Sequence, residues 1–333
     1  MKKLLAVLLV LVMVFGLAAC GKTETKDDTL KVGICNFVDD ASLNQIVENI
    51  EKALKDSGKD IKINIDNCNT DAAVLEQIIS NFAADKVDVM VAIATPVAMA
   101  MQGATEDSKT PVVFAAVSDP VGCGVVASMD KPGENLTGTS DFLDTDAVIS
   151  LITAVNPGID KVALFYDLGQ DSSTTAIKAA KAKLDSLNIK YEEFTAGNTQ
   201  EAQLAATEIV ARGYKAAFTP SDNTIMAAEL SIYETLAKGG VQHYAGADSF
   251  ALNGAFIGYG VDYANLGYET GKMVLEVLDG ADPATMAVKT FDNGLAAINK
   301  DALESLGMEY ETVKKAIEGI CTSVKMLETA ESF

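Results

Sequence analysis

Tryptophan is absent from the 333 residues, histidine occurs once, as His243, and arginine once, as Arg212. Each scarcity removes a chemistry. A single histidine rules out an HExxH helix, and His243 lies inside an apolar stretch, where a packed structural role fits better than general-base work. There is no GxSxG elbow and no P-loop, and the glycines of GYGVDYANLG (258–267) have the wrong spacing for a dinucleotide fingerprint. One arginine near a helix end is a poor provision for a ligand with several phosphates, which calls for guanidinium forks. The five cysteines form no CxxC pair and show no structural-zinc spacing. The expectation is no catalytic residue, no metal and no cofactor. Aromatic residues make up only 6% of the chain, which argues against a sugar ring clamped between aromatic faces.

Positive charge is also in short supply: 26 Lys and Arg against 47 Asp and Glu give a formal net charge of −21. So acidic a body repels phosphate backbones and anionic headgroups, so nucleic acid and a bare lipid surface are excluded as partners. The 49% hydrophobic share indicates a packed globular body rather than a disordered acidic tail.

Long hydrophobic runs are confined to the first residues. Lys2 and Lys3 precede about 16 uncharged residues, fewer than the roughly 20 that span a bilayer, so the run reads as a secretory signal over residues 1–19. With the leader removed the net charge becomes about −23. Leu17-Ala18-Ala19-Cys20 resembles the bacterial lipoprotein lipobox, in which the cysteine thiol carries lipid; the competing reading is an ordinary signal peptide with a chance cysteine. Cys20 is expected to be the lipid attachment, and residues 20–29 a polar leash. Acyl chains contribute about 0.8 kcal/mol per buried methylene, so two or more hold a protein at a membrane surface. The remaining Cys35, Cys68, Cys123 and Cys321 are read as free, although an extracytoplasmic location permits a Cys35–Cys68 disulfide.

About 300 residues exceed one ordinary core, so two lobes are expected. From Leu30 onward, short Val- and Ile-rich runs alternate with segments of helical period, as in βαβ units with parallel sheets. Strands are predicted at 31–38, 62–68, 87–95 and 111–118, with helices at 42–56, 71–84 and 96–104. The polar stretch KPGENLTGTSDF (131–142) interrupts the rhythm. Alternation then resumes with strands at 161–167, 190–196, 216–221 and 242–248 and helices at 172–187, 199–212 and 223–238.

In open α/β sheets ligands settle beyond the carboxyl ends of strands, where helix N-termini converge. The polar residues there are Asn36, Thr95, Ser118, Asp119, Ser172, Ser173, Asp222, Asn223 and Asp248, with Phe37, Tyr166, Phe250 and Tyr263 available as an apolar wall. Thr95-Pro96 reads as an N-cap with proline at the first helical position, and Asp119-Pro120 as a turn. Each could equally be a plain cap or turn, and the aromatics plain packing. Helix amides and hydroxyls suit a carboxylate, and Asp119, Asp222 or Asp248 suits an ammonium, so the pattern fits a zwitterion.

The runs VDVMVAIATPVAMAMQGATEDSKTPVVFAAVSDPVG (87–122), PGENLTGTSD (132–141), AAFTPSDNTI (216–225) and GYGVDYANLGYETGKMVLEVLDGADPATMAV (258–288) resemble the ABC-transporter substrate-binding lipoproteins of the tryptophan/phenylalanine-binding type. That resemblance implies a type I periplasmic-binding-protein fold: two Rossmann-like lobes with three crossings and a cleft between them. The N-terminal lobe would take residues 30–142 and 262–285, the C-terminal lobe 143–261 and 286–333. It also implies an extracytoplasmic, non-enzymatic protein that delivers a small amino-acid-like ligand, an aromatic one favoured, to an ABC permease and its ATPase. The sequence departs from the family where an acidic residue followed by His-Pro-Ala-Leu-Asp is common and Asp39-Asp40-Ala41-Ser42-Leu43-Asn44 stands instead. It departs again at Asn67-Cys68-Asn69-Thr70, in place of an Asn-Ala-Gln-Gly type turn. A ligand-sensing receptor, a surface hydrolase and a sugar-binding protein are the alternatives on the same scaffold.

Overall fold

The computed structural model describes residues 29–330; the leader and Cys20 lie outside the described residues. The first sheet collects β1 (Leu30–Asn36), β2 (Ile61–Asn67), β3 (Val89–Ile93), β4 (Val112–Ala115) and β5 (Leu136–Gly138). All run parallel in the order β2-β1-β3-β4-β5. β3 and β4 are buried throughout and read as unbroken apolar runs, whereas β2, at an edge, is half exposed and carries the polar residues of IKINIDN. Helices α1 (Ala41–Asp56), α2 (Ala72–Asp85) and α3 (Thr95–Thr105) connect the strands.

The second unit runs through α4 (Thr145–Val155), β6 (Lys161–Tyr166), α5 (Asp171–Ser186), β7 (Lys190–Thr195), α6 (Thr199–Ala211), β8 (Ala216–Thr219) and α7 (Asn223–Lys238). It continues with β9 (Gln242–Ala245), α8 (Asp248–Leu252) and β10 (Ile257–Gly260). Its sheet is completed by β11 (Leu295–Asn299) and β12 (Ser323–Leu327), giving the order β12-β11-β10-β9-β8-β6-β7. Every pairing is parallel except β10 with β11. Along β6, Val162, Leu164 and Tyr166 enter one core and Ala163 and Phe165 the other, as a period of two demands for a sheet covered on both faces. Helices α10 (Lys300–Ser305) and α11 (Tyr310–Ile317) pack on α7 and α4 and send Ala302, Leu303, Val313 and Ile317 into one of its cores.

The chain passes between the sheets after β5, after β10 and again after the 3-10 turn Pro283–Thr285. Between the second and third passages, α9 (Tyr263–Leu278) packs on α1. A Cβ at Gly267 would stand 2.6 Å from the Ile46 carbonyl oxygen, so glycine there is what allows the two backbones to meet. The crossing segments are tied together: Ser140 N–H donates to the Lys289 carbonyl at 2.8 Å and Asn293 Nδ2 to the Phe142 carbonyl at 2.7 Å.

Several local expectations are corrected. The middle of the supposed interruption forms strand β5, too short for periodicity to reveal. Thr95 is not an N-cap: it begins α3, and Ala94 occupies the cap position with φ 77° and ψ 158°. Asp248 does not end a strand; β9 stops at Ala245 and Asp248 opens α8. The described cysteines Cys35, Cys68, Cys123 and Cys321 are free thiols, the first two buried.

Candidate functional site

Strand ends of both units converge on two adjoining chambers. The larger, about 140 Å³, is bounded by Phe142, Leu143, Ala176 and Ala179 and by Asp119 and Thr175. The smaller, about 30 Å³, is lined by Asp40, Thr95, Asp141, Asp222, Phe250 and Tyr263 among others. Ser118, Ser172 and Ser221 border both. A cavity on the order of 150 Å³ accepts a benzene ring, and about 30 Å³ is one water's share of space. The pair therefore has the proportions of a ring site joined to a polar pocket.

The helices α3, α5 and α7 all begin at this junction, presenting Thr95, Ser172 and Asn223. Ala94 makes that possible at a cost: its φ and ψ belong to a region that glycine ordinarily occupies, worth about 1–3 kcal/mol of strain. The turn brings Thr95 into the pocket, where its Oγ1 is buried without a hydrogen-bond partner. The other hydroxyls are engaged. Ser118 donates to Asp141 at 2.9 Å, Ser172 to the Ser221 carbonyl at 3.2 Å, and Ser221 to the Gly246 carbonyl at 3.0 Å.

The carboxylates differ in the same way. Asp222 caps α7 through Ile225 N–H at 2.9 Å, and its other oxygen accepts from Asp167 N–H at 2.8 Å and Ser173 Oγ at 2.7 Å. Burial raises its pKa to about 6 against these hydrogen bonds. Asp141 accepts from Ser118 and, at 3.1 Å, from Tyr263 Oη; burial raises its pKa too. Asp119 accepts from Gly122 N–H at 2.8 Å and from Thr175 Oγ1 of the facing unit at 2.5 Å. Asp40 uses Oδ1 to cap α1, taking Ser42 N–H at 3.0 Å and Leu43 N–H at 3.1 Å. Its Oδ2 is buried without a partner, and desolvation lifts the pKa to about 6. Among the described residues no lysine or arginine lines either chamber.

Of the residues expected from sequence, Thr95, Ser118, Ser172, Asp222 and Asn223 meet at the smaller chamber and Asp119 borders the larger. Three do not face either. Asn36 is buried beneath, donating to Asn44 Oδ1 at 3.0 Å. Ser173 is buried against Asp222. Asp248 accepts from Ser42 across the units at 2.9 Å and from Lys325 at 2.7 Å. Asp222, expected to receive an ammonium, has its oxygens occupied within its own unit. Phe250 and Tyr263 reach the smaller chamber, while Phe37 borders a separate groove and Tyr166 Oη donates to Glu193. Asp40, Asp141, Phe142 and Leu143 were not identified as site residues; the signal for Asp40 was the departure at residues 39–44.

The family described as ABC transporter substrate binding protein matches residues 31–318. The tyrosine-binding protein of Clostridioides difficile (strain R20291) is 31% identical over 292 residues, 86% of this chain and 84% of its own. Among solved structures, an ABC domain from Streptococcus pneumonia in complex with L-Trp is 28% identical, with a TM-score of 0.82 over 90% of this chain and 100% of its own. A ligand-free, open structure of a substrate binding protein with adhesive properties from Clostridium difficile has the same 28% identity and coverage, but a TM-score of 0.68. In this chain the Ser42–Asp248 and Thr175–Asp119 hydrogen bonds each join the two units across the cleft.

Proposed function

The chain belongs to the ABC transporter substrate binding protein family, and from that premise we propose that it captures an aromatic amino acid between its lobes for delivery to an ABC permease. As a member of that family it is the extracytoplasmic solute-binding component of an ABC transporter with a small-molecule ligand. The observation that carries the aromatic reading is a ring-sized chamber of about 140 Å³ beside a polar pocket of about 30 Å³, the two sharing Ser118, Ser172 and Ser221 as lining. Phe142, Leu143, Ala176 and Ala179 would hold the ring. Thr95, Ser118, Ser172, Asn223 and the open first turns of α3 and α5 would hold the carboxylate, since no cation is at hand. The names of the tyrosine-binding relative and the L-Trp complex agree with this reading.

The lobes would divide the chain as 30–142 with 262–285 and 143–261 with 286–333, and lipid on Cys20 would keep the protein at the membrane. Among the described residues no helix is long and apolar enough to cross one. The protein would return its ligand chemically unchanged. Ligand contacts made to both lobes favour the closed state by what exists only there. Because the chain has no tryptophan and nine tyrosines, excitation of tyrosine should transfer energy to bound L-tryptophan against a background free of indole emission. Absence of that signal, together with no thermal shift by L-tyrosine, L-phenylalanine or L-tryptophan, would refute the proposal.

A further inference from the structure

Asp40 stands apart from every other carboxylate at the cleft. Asp222, Asp141, Asp119 and Asp248 each have both oxygens engaged by protein donors. Asp40 has one oxygen engaged by the α1 cap and the other without a hydrogen-bond partner, with only the Ser249 hydroxyl among side-chain donors close enough to influence it, in a residue only 4% exposed that lines the smaller chamber. A buried acceptor without a partner is costly, and native structures retain one chiefly where something else completes it. The chamber has room for a group about the size of a water molecule, which an ammonium is. The other fully buried unpartnered side-chain atom of its lining is Thr95 Oγ1, a hydroxyl free to donate to the anionic end of the same ligand. Asp40 and Thr95 follow the neighbouring strands β1 and β3, so a group for each end of a zwitterion stands side by side on one lobe, and Ser172 and Asn223 of the other lobe complete the carboxylate end.

We propose that Asp40 Oδ2 receives the ligand's ammonium group and so restricts the cleft to ligands that carry an amine, rejecting aromatic acids that lack one. This rests on the amino-acid reading above and adds to it the residue that enforces the amine. The ion pair forms in a site screened from water, where removing one partner of a hydrogen-bonded charge pair weakens binding at least about 30-fold.

The test uses isothermal titration of the wild-type protein, Asp40→Asn and Asp40→Ser with L-tyrosine and with 3-(4-hydroxyphenyl)propionate, the same molecule without its amine. Both substitutions keep a side chain that caps α1 well, so the ligand-free melting temperatures should not fall. The wild type should bind L-tyrosine at least about 30-fold more tightly than the des-amino acid, and both variants should lose that preference through weaker L-tyrosine binding alone. Unchanged L-tyrosine affinity in the variants would overturn the assignment while leaving the amino-acid reading intact. Equal losses for both compounds would overturn it as well, by showing a general distortion of the site. A wild type that binds no aromatic amino acid would refute the underlying reading, and the assignment with it.

Discussion

Acidification of the ligand-free protein should make it more stable, by proton uptake at buried carboxylates that adds to the relief of self-repulsion in a chain of net charge −21. Burial holds Asp40 and Asp222 at about pKa 6 in the folded state, against 3.8 for the unperturbed group. Between those values the native state binds more protons than the unfolded chain, so stability grows as pH falls through 6 and is lost as pH rises through it. Linkage gives about 1.4 kcal/mol for each residue on going from pH 7.5 to pH 5, or about 3 kcal/mol together. Asp141, also raised, adds to the same side, and Asp248 and Asp167 are the carboxylates that face Asp40 and Asp222. Opposing groups include Glu192, held low by Tyr214 and Arg212, and Glu193, held low by Lys181 and Tyr166, with Asp56, Glu134, Glu234 and Glu269 held low by their lysine partners. Their contribution persists above the unfolded carboxylate range and fades only below it, so it survives at pH 5. Calorimetry at pH 7.5 and 5.0 should show the melting temperature rising by roughly 5 °C on acidification. The Asp40→Asn/Asp222→Asn double variant, which keeps both helix caps, should lose most of that rise. A wild-type melting temperature that is flat or falls over this interval would refute the reasoning.

Ala176→Leu should fill part of the larger chamber and weaken aromatic amino acid binding at least tenfold by titration while leaving the ligand-free melting temperature within about 1 °C; unchanged affinity would move the ring elsewhere. The buried pair His243 and Glu229, with Nδ1 2.9 Å from Oε1, offers a double-mutant cycle. Thr219 Oγ1 donates to the Phe165 carbonyl and lies 2.8 Å from His243 Nε2, so Nε2 must donate and the remaining proton is shared between Nδ1 and Glu229. His243→Leu strands Glu229 and should cost about 3–5 kcal/mol in urea unfolding. The His243→Leu/Glu229→Leu double variant should cost distinctly less than the sum, and strict additivity would contradict the pairing.

The alternation of apolar runs and helical segments was legible because β3, β4 and β6 are buried strands whose sequence leaves little else to do. What escaped was only in part short or sequence-poor: β5 has three residues and β10, IGYG, has two glycines among four, but the helices α4 and α9 and the strands β11 and β12 were not anticipated either. A Cβ at Gly258 would stand 2.2 Å from the Ala247 carbonyl oxygen, so the close approach that weakens the strand signal is required by packing. At the cleft, chain position identified where ligand groups gather but not which atoms remain free. Aspartate caps α1, α2, α4, α7 and α9 alike, so a carboxylate after a strand carries no distinguishing mark. Asp222 and Asp40 read the same in sequence; only the accounting of donors separates a satisfied cap from one with an oxygen to spare.

That accounting also bears on closure. Asp40 stands on one lobe, Asp222 and Asp248 on the other, and the Asp248 charge adds to the forces that discourage ionisation of Asp40. With the lobes apart, water screens these charges from one another; bringing them together removes the water and leaves Asp40 and Asp222 lining one pocket that no lysine or arginine lines, with Asp248 outside the lining and paired to Lys325. An ammonium placed between them reverses the sign of that interaction. The Ser42–Asp248 and Thr175–Asp119 hydrogen bonds hold the closed form once it is reached, and both are available with the cleft empty. The dependence of closure on ligand therefore comes from the groups the ligand bridges, and the charge of an ammonium adds to the ring and carboxylate contacts in tilting the equilibrium toward the closed state.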